Sequence, residues 1–457
     1  MIAASAAARL ICLGKSIADR RYRRLSDETR WGAGQCECYR RLESTQWWSR
    51  DQLAAYQWAR ITELLRSAYS HTVFYKRRFD ELGARPEDIR SFADFRQLPP
   101  MTKSDVRRYR REITSDQFSV SSLIETRTGG STGAPLVVYK SPAAEQMRVA
   151  VSWRSRAWAG IDFRARKCII EIHHAAERGE RGWYIDPRSR TLLLSAGRLD
   201  YDRLRRYAEI CRLFKPEMLV GSIGFIRVLG KFLEENRPAQ LPFRGIFVVG
   251  ETVSPGDRAN VHRQFGCELF DAYGMRENAV SASECAAHSL HINSELTYVE
   301  FEKGDHGGII GTNLHNFAFP LIRYQTEDMG RLVDGLCECG RQHPRMMIEG
   351  GRTRDYLRTR EGYVFVSWHL AQFIDKNMGV EALQLYQPDL DHVIVRIVRG
   401  NTFSARDEVA LLGSLTQLAG DLLAFSVAYV DEIERTPLGK HLFVKSELAE
   451  DTDALRR

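Results

Sequence analysis

Apolar residues recur at three- and four-residue spacing between Leu53 and Leu82, through Leu53, Tyr56, Trp58, Ile61, Leu64 and Leu65, which predicts helix there. Leu98-Pro99-Pro100-Met101-Thr102-Lys103 breaks that pattern, and Thr102 or Ser104 can cap the basic helix that follows. Further on, short apolar runs alternate with helical stretches. Helices are expected over 144–159, 201–214, 224–235 and 257–265, and strands over 168–172, 218–220, 245–249 and 267–272. Such alternation predicts a parallel sheet with helices on its faces and ligands at the carboxyl ends of the strands. From about Leu290 to Val333 the texture changes to short strands and glycine turns, as in a β-barrel-like subdomain. A last stretch has strands at 393–398 and 425–429 and helices at 369–377 and 406–419, enough for a small α+β domain. The expected class is therefore α/β. Residues 1–352 would form a large domain of parallel α/β subdomains with the barrel-like piece, and 353–457 a small C-terminal domain.

Composition changes this picture little. A chain of 457 residues with 44% hydrophobic and 27% charged content is an ordinary globular protein of two or three domains. A net charge of +7 favours small anions weakly, and Arg107, Arg108, Arg110 and Arg111 read as a solvated helix face rather than a nucleic-acid groove. Nine scattered cysteines argue for a reducing compartment, the cytoplasm, rather than a disulfide framework. No apolar run is long enough for a membrane span. Met1 to Leu13 is apolar, but its positive residues mostly follow the apolar part, an order that suits a packing helix better than a signal peptide.

Chemistry concentrates in six stretches. Thr126-Arg127-Thr128-Gly129-Gly130-Ser131-Thr132-Gly133-Ala134-Pro135 is a glycine/hydroxyl loop running into strand-like Leu136-Val137-Val138-Tyr139. Its backbone N–H groups can turn towards an anion, although no Gly-Lys-Ser/Thr closes it as a Walker loop would. Asp271-Ala272-Tyr273-Gly274-Met275-Arg276-Glu277 offers an aromatic for a base and a carboxylate for Mg²⁺, or simply a turn with a core tyrosine. Arg323-Tyr324-Gln325-Thr326-Glu327-Asp328 carries an aspartate able to accept ribose hydroxyls. Gly350-Gly351-Arg352-Thr353-Arg354-Asp355 stands at the expected domain boundary, and Thr436-Pro437-Leu438-Gly439-Lys440 puts a lysine on a tight turn. Cys337-Glu338-Cys339, with Cys285 and His291, would make a closed tetrahedral set of the kind that holds structural zinc; His288 competes with His291, and a plain reduced turn is the alternative. His173-His174 follow a strand and would line a pocket or be satisfied structurally, while Trp153, Trp158 and Trp183 read as core.

Taken in order, the glycine loop, Tyr-Gly-x-x-Glu, Tyr-x-x-x-Asp, Gly-Arg-x-x-Asp and Pro-x-Gly-Lys resemble the core motifs of the adenylate-forming superfamily. Phe74-Tyr75-Lys76, Leu98 to Lys103 and Lys215-Pro216-Glu217 make the chain most similar to the phenylacetate–CoA ligase branch with its CapK-like members, over roughly residues 50–445. The resemblance implies activation of a carboxylic acid by ATP to an acyl- or aryl-adenylate with loss of pyrophosphate. Transfer to CoA would follow, with an amine or sugar-linked acceptor as the alternative. It places Thr128, Gly129, Gly130, Ser131, Thr132 and Gly133 on the phosphates, and Gly250, Glu251, Asp271, Tyr273 and Gly274 around the nucleotide. Glu277 would bind Mg²⁺, Asp328 the ribose, and Arg352 ribose or phosphate. Lys440, on a mobile C-terminal domain, would bridge carboxylate and α-phosphate. It also places a cysteine-rich site, Cys285, His291, Cys337 and Cys339, where several relatives carry one.

This sequence departs from the usual pattern in three places. Glu327 replaces the usual glycine before the ribose aspartate and is expected to crowd the site with a second carboxylate. Arg354 replaces the common hinge aspartate, and Thr128-Gly129-Gly130 has one hydroxyl fewer than is usual. A non-catalytic nucleotide-binding homologue is the rival reading, and a zinc-dependent nucleic-acid binder a more distant one. The acid itself and the assembly, a homodimer among the options, stay open.

Overall fold

The computed structural model describes residues 15–16, 19, 26–127, 136–171, 182–236, 241–251, 253, 255–349, 356–365, 380–400, 402–433 and 444–448. The glycine loop at 128–135, His173-His174, Arg352, Arg354, the helix expected at 369–377 and Lys440 lie outside them.

The long helical stretch is two helices, Arg50–His71 and Val73–Glu81. Thr72 separates them: it adopts an extended backbone and accepts from the Tyr75 N–H, capping the second helix. The basic helix Lys103–Ile113 starts with a capping box, in which the Thr102 hydroxyl accepts from the Asp105 N–H and the Asp105 carboxylate accepts from the Thr102 N–H. A separate hairpin pairs β1 (Ile124–Arg127) with β2 (Val137–Lys140).

Twelve strands form the main sheet. Its parallel part contains β3 (Lys167–Glu171), β5 (Thr191–Ser195), β7 (Met218–Gly221), β8 (Gly245–Val249) and β9 (Glu268–Gly274), with β4 (Trp183–Asp186) added antiparallel at the edge. Helices Tyr201–Phe214, Ile223–Asn236 and Pro255–Phe265 cross between these strands. Their apolar faces join the strands in one core, around Ile170, Leu192, Leu194, Leu219, Ile246 and Val248.

The second part is antiparallel: β10 (Ser281–Glu284), β11 (Leu290–Ile292), β12 (Thr297–Phe301), β13 (His306–Asn313), β14 (Tyr324–Val333) and β15 (Arg345–Ile348). The expected barrel-like region is thus hydrogen-bonded to the parallel strands without a break, through β9 and β10. The N-terminal helices and β2 pack on it around Ile61, Phe95, Val138, Phe319 and Tyr324.

The C-terminal segment has its own core, with Leu383, Leu385, Val393, Val395, Leu411 and Leu415 at its centre. It is built from β18 (Val380–Gln387), β19 (His392–Arg399), β20 (Ala424–Tyr429), β21 (Val444–Ser446) and the helix Ala405–Ala419. A hairpin of β16 (Tyr356–Thr359) and β17 (Gly362–Phe365) pairs with β6 (Arg198–Asp200), joining this segment to the large one.

Candidate active site and metal centre

Two of the chemistry-bearing stretches meet at one place. The Asp271–Glu277 stretch leaves the end of β9, and the Arg323–Asp328 stretch begins β14. The Tyr273 hydroxyl donates to Asp328 Oδ2 at 2.9 Å, and the Tyr324 hydroxyl donates to Glu277 Oε1 at 3.2 Å. Burial, reinforced by the neighbouring carboxylate, holds both phenols protonated: Asp328 for Tyr273 and Glu277 for Tyr324. Each tyrosine therefore serves as a hydrogen-bond donor that fixes a carboxylate. Glu277 is almost wholly buried, and Tyr324 fully so.

The supporting stretches converge on this same segment. The Tyr75 hydroxyl donates to the Pro320 carbonyl at 2.9 Å and accepts from the Ile322 N–H at 3.0 Å. Met101 pairs with β14: its N–H donates to the Arg323 carbonyl and its carbonyl accepts from Gln325, both at 2.9 Å. The buried Arg323 guanidinium is held by Glu300 and by the Leu98 carbonyl. These bonds give the Phe74–Lys76 and Leu98–Lys103 stretches a physical meaning, since both brace the carboxylate-bearing turn.

Glu327 does not crowd that turn. Its backbone has φ +65°, the left-handed conformation that glycine adopts most cheaply, and its carboxylate meets Lys103 Nζ at 2.5 Å. The next residue is locked locally, with the Asp328 N–H donating to Thr326 Oγ1 at 3.1 Å and that hydroxyl donating to the Ile309 carbonyl. The sequence assigned no role to Lys103, Tyr324 or Thr326, although all three stand inside stretches it singled out.

At the end of β8, Gly250 has φ +83° and Glu251 accepts from the Gly224 N–H at 2.8 Å, at the start of the helix Ile223–Asn236. Glu251 thus ties the β8 turn to a neighbouring helix. Asp271 lies beside a charged group in which Glu284 takes two hydrogen bonds from Arg258 and accepts the Asp271 N–H. Burial and the negative charge of Glu284 push the Asp271 carboxyl up to about 7.

Cys285, His291, Cys337 and Cys339 come together with their ligand atoms within 4.8 Å of one another. Cys285 Sγ lies 3.6 Å from Cys337 Sγ, and Cys339 Sγ lies 3.4 Å from His291 Nε2. These separations match the edges of a zinc tetrahedron, roughly 3.3–3.8 Å for bonds of about 2.0–2.3 Å. His291 Nδ1 lies 3.1 Å from the His343 carbonyl, which orients Nε2 towards the thiols. His288 is not in the set: it stacks on Phe270 and reaches Glu268 and Glu284 instead. Trp158 is a core residue as expected, buried against Cys285 and Cys337. Trp153 is core, stacked on Phe163 at 4.2 Å. No helix among the described residues is long and apolar enough to cross a membrane.

The family model of the CapK C-terminal domain matches residues 357–447. Protein CapK of Staphylococcus aureus is 26% identical over 365 residues, covering 77% of this chain and 80% of that protein. Phenylacetate–coenzyme A ligase of Escherichia coli is 27% identical over 349 residues, covering 70% and 75%. Among solved structures, 2-hydroxyisobutyryl-CoA ligase in complex with 2-HIB-AMP and CoA superposes with a TM-score of 0.58 at 18% identity, over 88% of this chain and 92% of that one. The same enzyme in its postadenylation state gives 0.57 at 17%, over 90% and 93%. At such identities the superpositions speak for the fold. The chain is thus similar to CapK and to phenylacetate–coenzyme A ligases over most of its length, shares the fold of 2-hydroxyisobutyryl-CoA ligase, and matches the CapK C-terminal domain over residues 357–447.

Proposed function

We propose that this protein is an ATP-dependent carboxylic acid ligase, which forms an acyl- or aryl-adenylate and transfers the acyl group to CoA. The observation that carries this reading is the joining of two stretches some fifty residues apart by the Tyr273–Asp328 and Tyr324–Glu277 hydrogen bonds, in a homologue of the phenylacetate–coenzyme A ligases. A carboxylate and a triphosphate repel one another. The site must hold both in line for attack and neutralise the charge that accumulates at the α-phosphate.

In this reading Asp328, its rotamer fixed by Tyr273, receives the ribose hydroxyls, and the Tyr273 ring flanks the adenine with Gly274, Gly250 and Glu251 alongside. Glu277, held by Tyr324, would bind Mg²⁺, which would shield the phosphates. The loop from Thr128 to Gly133 cradles the phosphates through its N–H and hydroxyl groups. Arg352 and Lys440 complete the charge neutralisation, Lys440 arriving on the C-terminal domain that begins near residue 353. The carboxylate oxygen then bonds to the α-phosphorus as the bond to pyrophosphate breaks, and in the second step the thiolate displaces AMP. We include structural zinc at Cys285, His291, Cys337 and Cys339, and a cytoplasmic setting in which these thiols stay reduced.

Hydroxamate trapping tests the reading. Purified protein with Mg-ATP, hydroxylamine and a panel of aryl, fatty, amino and hydroxy acids is compared with Lys440→Ala. ATP-dependent hydroxamate from the wild type alone supports the ligase. Silence across the panel, with ATP shown to bind, supports the non-catalytic rival.

A further inference from the structure

Pro344 leaves a gap in the pairing of β11 with β15, next to the metal centre. His291 stands opposite Arg345, which puts Ile292 opposite Pro344 in the antiparallel register. A hydrogen-bonded pair of this kind exchanges two backbone bonds. One is made, with the Ile292 N–H donating to the Pro344 carbonyl at 2.8 Å. The return bond is impossible, because proline has no N–H. Ile292 is buried, so its carbonyl needs another donor, and it accepts from the side chain of His343 through Nδ1 at 3.1 Å. A carbonyl only accepts, so this bond keeps a proton on His343 Nδ1.

The same histidine meets the metal ligand through its backbone. The His343 carbonyl accepts from His291 Nδ1 at 3.1 Å, which leaves His291 Nε2 as the lone-pair nitrogen facing the thiols, 3.4 Å from Cys339 Sγ. Residues 291–292 and 343–344 are thus crossed by three hydrogen bonds, two of them made by imidazole N–H groups. The His343 ring is fully buried and stands against Trp158 with 5.8 Å between centroids, as the His291 ring does at 5.7 Å. Its far nitrogen is idle by comparison: Nε2 has no hydrogen-bond partner among the described residues and lies 3.7 Å from Glu295 Oε1. Of the two ring nitrogens, only Nδ1 makes a directed bond, and that bond goes to the residue next to the metal ligand.

We infer that His343 is a positioning residue of the metal centre. Its Nδ1–H replaces the donor that Pro344 lacks and holds the two segments in register. The His343 carbonyl then stays where it aims His291 Nε2 at Cys285, Cys337 and Cys339. The inference rests on the reading of those four residues as a zinc site.

Zinc affinity of the full chain tests it, measured by competition with a chromophoric chelator, and cobalt(II) in place of zinc reports tetrahedral geometry. His343→Ala should weaken binding roughly 10- to 100-fold, as the loss of an outer contact to a metal ligand does. An asparagine amide nitrogen can stand where Nδ1 stands, and a glutamine amide nitrogen where Nε2 stands. His343→Asn should therefore keep most of the affinity and His343→Gln should not. Pro344→Ala gives the strand an N–H opposite the Ile292 carbonyl. In the His343→Ala background it should recover part of the affinity and of the tetrahedral cobalt spectrum. Unchanged affinity in His343→Ala would overturn the inference, as would a Pro344→Ala change that recovers nothing. Equal losses in the Asn and Gln variants would make His343 a space-filling core residue, and retention by Gln alone would move the role to Nε2 and Glu295; either result overturns it. Should the alanine variant not fold, the comparison of Asn with Gln decides. Wild type that binds no zinc removes the metal reading itself, and this inference with it. Wild type that binds zinc with an affinity indifferent to His343 leaves the metal reading standing and removes this one alone.

Discussion

Glu327 and Lys103, distant in sequence, meet at 2.5 Å beside the turn that presents Asp328, and Glu327 does so from a left-handed backbone. A non-glycine residue in this conformation costs about 1 kcal/mol, and a half-exposed ion pair returns about 0.2–1 kcal/mol. The two nearly cancel. Glu327→Gly should therefore leave stability within about 1 kcal/mol of wild type, because glycine relieves the backbone as it gives up the pair. Glu327→Val should lose about 1–3 kcal/mol, since a β-branched residue keeps the strain and has no carboxylate for Lys103. Urea denaturation of the three proteins decides it, and a Val variant as stable as the Gly variant would refute the account.

The same turn shows how much the sequence disclosed. The order of motifs drew attention to Tyr273, Glu277 and Asp328, and the structure joins their two stretches through the Tyr273–Asp328 and Tyr324–Glu277 hydrogen bonds. The direction of Glu327 was not legible. It depends on Lys103, which arrives through the pairing of Met101 with Tyr324, a contact between segments more than two hundred residues apart. The choice between His288 and His291 had the same cause. His291 lies on β11 opposite Arg345 of β15, and that pairing brings its ring to the thiols from beyond residue 336. Local helix limits were easier, as at Tyr201–Phe214, where an Asp200 side-chain cap and a left-handed Lys215 mark the two ends.

Tyr273 and Asp328 are the pair that the ligase reading uses most directly. Asp328→Ala should raise KM for ATP by roughly 10- to 100-fold, the worth of hydrogen bonds to a charged acceptor, with little change in melting temperature. Tyr273→Phe keeps the ring but releases the carboxylate, so its effect should be smaller, about 3- to 10-fold by the worth of one neutral donor. Steady-state kinetics with varied ATP gives both numbers. A KM unmoved by Asp328→Ala would remove this residue from the nucleotide site.

Metal content separates the two histidines. Protein purified without added metal should contain about one zinc per chain by elemental analysis, as a closed set of three thiolates and one imidazole demands. His291→Ala or Cys339→Ser should lose that metal and lower the melting temperature. His288→Ala should keep it, since His288 faces Glu268 and Glu284 rather than the thiols. Retention of zinc by His291→Ala would show that the cluster is not the ligand set.

Asp271 should make stability fall as pH rises. Its carboxyl sits at about 7 in the folded chain, pushed up by burial and then by Glu284, against an ordinary value of 3.8. Between those values the folded state holds a proton that the unfolded state has released, so the stabilisation present at low pH is lost on passing upward through about 7. Asp271→Asn stays neutral throughout and should flatten this part of the profile, by on the order of 1–3 kcal/mol between pH 5 and pH 8. Denaturation midpoints across that range test it, and parallel profiles for the two proteins would contradict it.

Arg154 and Glu295 form the opposite case, an ion pair almost completely buried, at 2.6 Å. Arg154 also donates to Asn293 and Glu295 also accepts from Thr45, while Arg154 Nε and Glu295 Oε2 are left without a hydrogen-bond partner among the described residues. Burial pushes the Glu295 carboxyl up, but Arg154 and His343 outweigh it and the group sits at about 2. Its stabilisation is therefore present above the ordinary carboxylate value and disappears as pH falls through about 2. Removing one partner leaves the other charged and dry. Glu295→Gln should thus cost about 3–5 kcal/mol, as should Arg154→Met. The double substitution should cost clearly less than the sum, because neither charge then remains uncompensated. A double-mutant cycle by urea denaturation measures the coupling. Strict additivity would mean that the two charges do not stabilise one another.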